Sequence, residues 1–353
     1  MKFENGQKMQ IASTLGICLA ALCITYGARA QETLETVKVN DSDRVYILRL
    51  PKGYDQEQKH PVVILLHGMN QETDDMERLT RFDDLADKNS IIVAYPSALN
   101  GRWNIGIRPP ARQRMTMPLG RGGRHGGGGF PGGGQSGGRS EEESGPAPAD
   151  DIAFLNQMLD QMAKKSSVDP ARIYVTGLSW GGFMAMKVGC SMADRIAAIA
   201  PVGATMPKTM VCVPTRPVPV VTINGTSDPV VPYGGGTEHN LQLPVISVED
   251  SAKAWATIDR CTEKPTQTKL KAHEKGGMET KVETYDVCAQ NAQVISYSMK
   301  GGGNTWPGGE QYEVEKQVGK TSRDLNANEI IWSFLSTRKL AVKNGTDNSP
   351  STK

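Results

Sequence analysis

Val175-Thr176-Gly177-Leu178-Ser179-Trp180-Gly181-Gly182 is the stretch on which the fold turns. Just before it, Arg172-Ile173-Tyr174-Val175 reads as a short buried strand. Just after it, Phe183-Met184-Ala185-Met186-Lys187-Val188 is a good helix former. Strand, Gly-x-Ser-x-Gly and helix in that order is the arrangement of a nucleophile elbow. The serine sits on a tight turn, and small residues at 177 and 181 let strand and helix pack closely around it. Its hydroxyl then projects at the carboxyl end of a sheet, with N–H groups of the helix start behind it. An ordinary turn whose serine caps the helix would look the same locally. The decision therefore rests on partners elsewhere in the chain.

Upstream, Glu35 to Asn40 and Arg44 to Pro51 read as two strands joined by the polar turn Asp41-Ser42-Asp43. Pro61 to Leu66 is a continuous apolar run of strand length, as expected of a strand buried on both faces. Residues 74 to 88 carry Met76, Leu79, Phe82 and Leu85 at helical spacing, and Ile91 to Pro96 reads as a further buried strand. A helix from Asp150 to Lys164 opens on carboxylates that suit its amino end. Beyond the elbow, strands are expected at Ile196 to Val202, Val218 to Ile223 and Val294 to Met299. Helices are expected at Ala252 to Asp259 and Asn326 to Thr337. Strands alternating with helices give an α/β architecture, a mostly parallel sheet with helices on both faces.

A serine nucleophile needs a base, an acid to orient that base, and donors for the oxyanion. After an elbow, the acid and then the base follow in chain order. Asp228 lies in Asn224-Gly225-Thr226-Ser227-Asp228-Pro229, directly after the strand ending at Ile223, where the acid is expected. A turn aspartate before proline is the plainer reading of the same residue. The oxyanion donors are expected to be the backbone N–H groups of Trp180 and Met69, the latter in the loop after Leu66. His67 is expected to brace that loop.

The 353 residues do not begin as a folded domain. Lys2 and Lys8 precede an apolar run from Ile11 to Tyr26, and Ala28-Arg29-Ala30 supplies small residues, which reads as a secretory signal cleaved after Ala30. Neither Cys18 nor Cys23 follows a small residue, so no lipid anchor is expected. The hydrolytic domain is expected over 31–338, with a polar disordered tail over 339–353. Four cysteines remain beyond the signal, and an even number in an exported chain suggests disulfides. Three pairings are possible, and the sequence-neighbour pairs Cys190–Cys212 and Cys261–Cys288 are expected over four free thiols. No Cys/His spacing fits a zinc site, and no cofactor is expected.

Residues 108 to 149 are Gly- and Arg-rich, with too little apolar matter to offset the entropy of ordering. They are expected to form a disordered insertion, an inert loop or a surface tether. Arg among Gly resembles single-strand-binding segments, but without alternating aromatics to stack on bases no nucleic-acid partner is expected. The formal net charge of +2 points to no polyanion either.

Taken together, several motifs resemble the exported polyhydroxybutyrate depolymerase and feruloyl esterase group. They are His67-Gly68, Trp103-Asn104, Asp150-Asp151, the elbow, Gly225-Thr226-Ser227-Asp228 and Gly301-Gly302-Gly303-Asn304-Thr305-Trp306-Pro307-Gly308-Gly309. The resemblance implies an α/β-hydrolase that cleaves carboxylic esters, of hydroxyalkanoates or of phenolic acids on plant polysaccharide. It implies Ser179 as nucleophile, Asp228 as acid, and Trp103 and Trp306 flanking the substrate cleft. It also exposes a departure. The family's last motif carries the catalytic histidine where this chain has Asn304, and an amide does not accept a proton at neutral pH. Of the other histidines, His60 faces the wrong end of the sheet, His125 lies in the insertion and His273 in a polar excursion. His239, after Asp228, is the only histidine that could stand in for the base. Two further readings stay open at this point. One is a silent relative that binds polyester or polysaccharide through the old cleft. The other is a surface protein working through its Gly/Arg segment.

Overall fold

Strand β3 (His60–Leu66) is buried at every position, and its side chains alternate between two separate cores. Val62, Ile64 and Leu66 face one core, Val63 and Leu65 the other. That is why the run reads as unbroken apolar sequence: a strand covered on both faces has no polar side to show. The computed structural model describes residues 30–106, 149–272 and 277–341. The leader before Ala30, nearly all of the 108–149 insertion with His125, and His273 lie outside the described residues, as does the tail from 342.

Around β3 the chain builds a ten-stranded sheet. β1 (Gln31–Val39) and β2 (Ser42–Leu50) form an antiparallel hairpin at one edge. Its turn is Asn40-Asp41, both at positive φ (45° and 63°), one residue earlier than the sequence suggested. Two successive left-handed residues match the strand twist, and Asn and Asp tolerate that region. Next come β4 (Ile92–Pro96), β3, β5 (Val168–Leu178), β6 (Ala198–Val202), β7 (Val220–Gly225) and, further along the chain, β12 (Val294–Met299). These six run parallel. Between β7 and β12 the chain forms a separate two-stranded pair, β8 (Gly236–Thr237) with β9 (Pro244–Val245).

The far edge corrects the sequence reading. The polar excursion is a hairpin, β10 (Thr266–Leu270) and β11 (Thr280–Tyr285), which extends the sheet antiparallel to β12. β10 is exposed along its whole length, so it carries no buried-face alternation from which a strand could be read.

Helices α3 (Asp151–Lys165), α4 (Trp180–Ser191) and α5 (Val248–Ile258) contribute side chains to one core. The other core is covered by α1 (Thr73–Thr80), α2 (Phe82–Asn89) and α7 (Ala327–Leu335), while α6 (Glu315–Val318) is a single turn near the site. The expected single helix over 74–88 is two. Arg81 takes a left-handed φ of 49° and caps α1 through its N–H to Glu77 O at 2.9 Å. Met76 and Leu79 before the break and Phe82 and Ala86 after it all reach the same core. Apolar burial outweighs the local cost of a non-glycine residue in that conformation.

Both expected crosslinks are present, Cys190–Cys212 with Cα atoms 4.9 Å apart and Cys261–Cys288 at 3.8 Å. The second joins the end of α5 to the end of β11. Peptide mapping without reduction should recover both pairs intact. Closing loops of this size stabilises by about 3 kcal/mol each in the chain-entropy model, so reduction should lower the thermal midpoint clearly. Free thiols at any of the four positions would contradict the pairing.

Candidate active site

The chain leaves β3 towards β4 on one side and returns to β5 on the other, so β3 and β5 are neighbours whose connections diverge. A crevice opens at the carboxyl ends of strands at such a point. The loop after Leu66 and the turn after Leu178 both end there. Ser179 occupies that turn with φ 55° and ψ −114°, strained for a residue with a side chain. Its N–H donates to Val202 O (2.8 Å) and its carbonyl accepts from Phe183 N (3.0 Å), which pins the turn between β6 and α4.

The glycines explain how the turn is packed. A Cβ on Gly181 would lie 2.0 Å from Leu66 O, and one on Gly177 would lie 2.6 Å from Gly181 backbone atoms. Helix, strand and oxyanion loop touch backbone to backbone here. The N–H groups of Met69 and Trp180 donate to no group among the described residues.

Asp228 and Asn304 meet. The Asn304 Nδ2 donates to Asp228 Oδ2 at 2.7 Å and to Gly203 O at 2.9 Å. The Asp228 Oδ1 accepts from the N–H groups of Val230 and Val231, both at 2.8 Å. Asn304 is fully buried and its Oδ1 has no hydrogen-bond partner among the described residues. Tyr312 donates to its carbonyl (3.0 Å), and its N–H donates to Val318 O (2.6 Å). Gly303 allows that strap to close, since a Cβ there would lie 2.1 Å from Val318 O. Tyr312 and Gly203 were not legible in advance, because nothing in their spacing marks them.

Burial pushes the Asp228 carboxyl up to about 7, against the pull of Asn304 and the two backbone donors. The folded chain thus binds a proton that the unfolded chain releases near pH 4. Stability contributed by this group is therefore highest at low pH and is lost as pH rises through about 7. Asp259, which caps the carboxyl end of α5, is raised to about 7 by burial, with the same sign. The comparison that isolates Asp228 is native chain against Asp228→Asn. Between pH 4 and 7 the native chain should lose up to about 1.4 kcal/mol per pH unit relative to the variant, read by urea melts.

His67 is fully buried. Its Nε2 accepts from Ala98 N (2.9 Å), which leaves the proton on Nδ1 for Gly68 O (2.7 Å). Desolvation lowers its pKa, so the ring is neutral and braces the loop. His60 lies at the amino end of β3, held by the carbonyls of Ser90 and Asp55. His239 is exposed and its ring makes no hydrogen bond among the described residues. None of these three contacts Asp228.

Trp103 and Trp306, expected to flank the cleft, are both buried, at 1% and 0% exposure. Trp306 donates to Asn328 Oδ1 (2.8 Å), tying its loop to α7. The Trp103 indole donates to His67 O (2.9 Å), while its own carbonyl accepts from the Trp180 indole (2.8 Å). Asn104 is fixed through its N–H to Asp151 Oδ2 (2.6 Å), and Asp151 pairs with Arg44 at 2.6 Å in the interior. Bulky indoles in Gly-rich loops suggest a substrate wall from sequence, but the N–H also makes them internal braces when a carbonyl lies within reach.

No family model matches the chain. It is similar to the putative esterase NocK of Nocardia uniformis subsp. tsuyamanensis, with 26% identity over 87% of this chain and 83% of that protein. It is also similar to feruloyl esterase B of Piromyces equi, 34% identical over 44% of this chain but only 29% of that protein. Probable feruloyl esterase C of Aspergillus terreus is 24% identical over 64% of this chain and 70% of its own length. Among solved structures, the acetyl xylan esterase from Aspergillus awamori superposes with a TM-score of 0.49 at 14% identity, covering 86% of this chain and 99% of that one. With its parallel sheet, its elbow after β5 and relatives of these names, the chain has the α/β-hydrolase fold.

Proposed function

We propose that the chain is a carboxylic ester hydrolase that works through Ser179, on acetyl or feruloyl esters of the kind borne by plant polysaccharide. The observation that carries this reading is the strained Ser179 turn at the β3/β5 crevice, beside two uncommitted backbone N–H groups. The names of the relatives support the ester class.

In this reading the Ser179 Oγ attacks the ester carbonyl. The N–H groups of Met69 and Trp180 hold the oxyanion, the alcohol leaves, and water then cleaves the acyl-serine. Asp228 is the acid of the site, with Asn304 in the base position. An amide cannot take the serine proton, so the proton leaves to solvent and turnover is slow. Hydroxide replaces the missing base, and kcat/KM is expected to climb with pH without a plateau near 7. A plateau there would point to an internal base.

Export fits the two disulfides, which persist in oxidising compartments. Among the described residues no helix is long and apolar enough to cross a membrane. The test is labelling with a p-nitrophenyl alkylphosphonate alongside turnover of p-nitrophenyl acetate and methyl ferulate. The adduct should map to Ser179, and Ser179→Ala should remove both labelling and turnover. A chain that neither labels nor turns over, yet retains a polysaccharide ester on a column, would be a binding protein instead.

A further inference from the structure

Two segments carry the expected oxyanion donors, and the sheet ladder does not fix their separation. β3 and β5 are paired as far as Leu66 opposite Gly177. Met69 lies three residues beyond that pair on one strand, and Trp180 three beyond it on the other. Past the ladder Gly181 packs against the Leu66 and His67 carbonyls, but the backbone hydrogen-bond pairing has ended.

Trp103 spans the gap. Its indole Nε1 donates to the carbonyl of His67 at 2.9 Å, on the Met69 side. Its backbone carbonyl accepts from the indole Nε1 of Trp180 at 2.8 Å, on the elbow side. One residue thus holds both segments, by a side-chain donor in one direction and a backbone acceptor in the other. The His67 and Trp103 rings also pack, with centroids 5.0 Å apart.

The bracket is itself anchored. Asn104 donates its N–H to Asp151 Oδ2 (2.6 Å) and its Nδ2 to Ala149 O (2.7 Å). Asp151 is held by Arg44 at 2.6 Å, and the Arg44 guanidinium lies 4.2 Å from the Phe154 ring centre. Trp103, Trp180, His67, Asp151 and Arg44 are each at most 5% exposed, so the bonds among these five lie away from bulk solvent.

We infer that Trp103 is a positioning residue which sets the distance between the Met69 and Trp180 N–H groups. The inference rests on the ester-hydrolase reading for its catalytic consequence, but not for its geometry. Rate depends steeply on such spacing, since donors must meet the oxyanion at hydrogen-bond distance and a 1 Å error can cost on the order of 100-fold.

Trp103→Phe keeps a ring and removes the single N–H. Trp180→Phe cuts the second bond and leaves Trp103 in place, which covers the case in which the first variant does not fold. Crystal structures of parent and variants should show the Met69 N to Trp180 N separation changed by about 1 Å, with the Asp228–Asn304 contact intact. Phosphonate labelling of Ser179 should slow by about 10- to 100-fold in each variant. Ester turnover should fall through kcat, with KM within a factor of about two. An unchanged separation, or a changed one with labelling at the parental rate, overturns the inference. If the parent itself is not labelled, the ester-hydrolase reading fails, and the measured separation still decides whether Trp103 sets it.

Discussion

Asn304→His is expected to raise kcat/KM for a short-chain ester by several decades. In the proposed reading the site holds a serine on a strained turn, two backbone N–H groups that donate to nothing among the described residues, and a carboxyl beside position 304. In that reading no described residue there is placed to take the serine proton. In a well-studied serine protease the histidine is worth about a millionfold in turnover, and binding with oxyanion donors alone leaves about 10³–10⁴ over water. The Asn304 Nδ2 already donates to Asp228 as a protonated ring nitrogen would. Its Oδ1 has no hydrogen bond to lose among the described residues. The packing around 304 is tight, since Gly203 and Gly303 both lie against it or its strap. Some stability is expected to be lost, and a folded variant by circular dichroism is the entry condition for the assay. A folded Asn304→His chain with unchanged turnover would show that the base does not belong at 304. Strong native activity abolished by His239→Ala would show that it has moved.

The second large effect is conditional on the first. In the Asn304→His background, Asp228→Asn should lower turnover by about 10⁴-fold, since an amide there favours the wrong imidazole tautomer. The structure gives the reason in detail. One carboxylate oxygen of Asp228 is already occupied by the Val230 and Val231 N–H groups, so only Oδ2 is left to hold the ring. An asparagine would keep its oxygen on those two donors and present its NH₂ to position 304. Donor would then face donor, and the ring would turn or take the other tautomer. In the native chain the same substitution should change turnover little, because Asn304 is not a base. A loss of equal size in both backgrounds would mean that Asp228 holds the loop rather than a ring.

Much of the molecule was legible in the chain itself. The run Pro61 to Leu66 announced a strand covered on both faces, because a doubly buried strand has no polar side. Gly177 and Gly181 announced the elbow, because only glycine admits the backbone contacts with Gly181 and Leu66 that the structure shows there. The place of Asp228 just after a strand could be read from sequence, and the two crosslinks from the nearness of their cysteines. These features are set by local sequence and short loops.

What remained hidden depends on which distant atoms come within hydrogen-bond range. The break at Arg81 was decided by the sheet, which rewarded a second apolar face over an unbroken helix. The edge hairpin β10–β11 was decided by pairing with β12, since β10 buries nothing of its own. Trp103 reads from sequence as a wall of the cleft; in the structure it is buried, because His67 O, just past β3, and the Trp180 indole, at the start of α4, converge on it. A side chain's identity fixes what it can donate or accept. Only the tertiary structure decides who stands opposite, because the bond forms over about 3 Å while its partners lie 36 and 77 residues away.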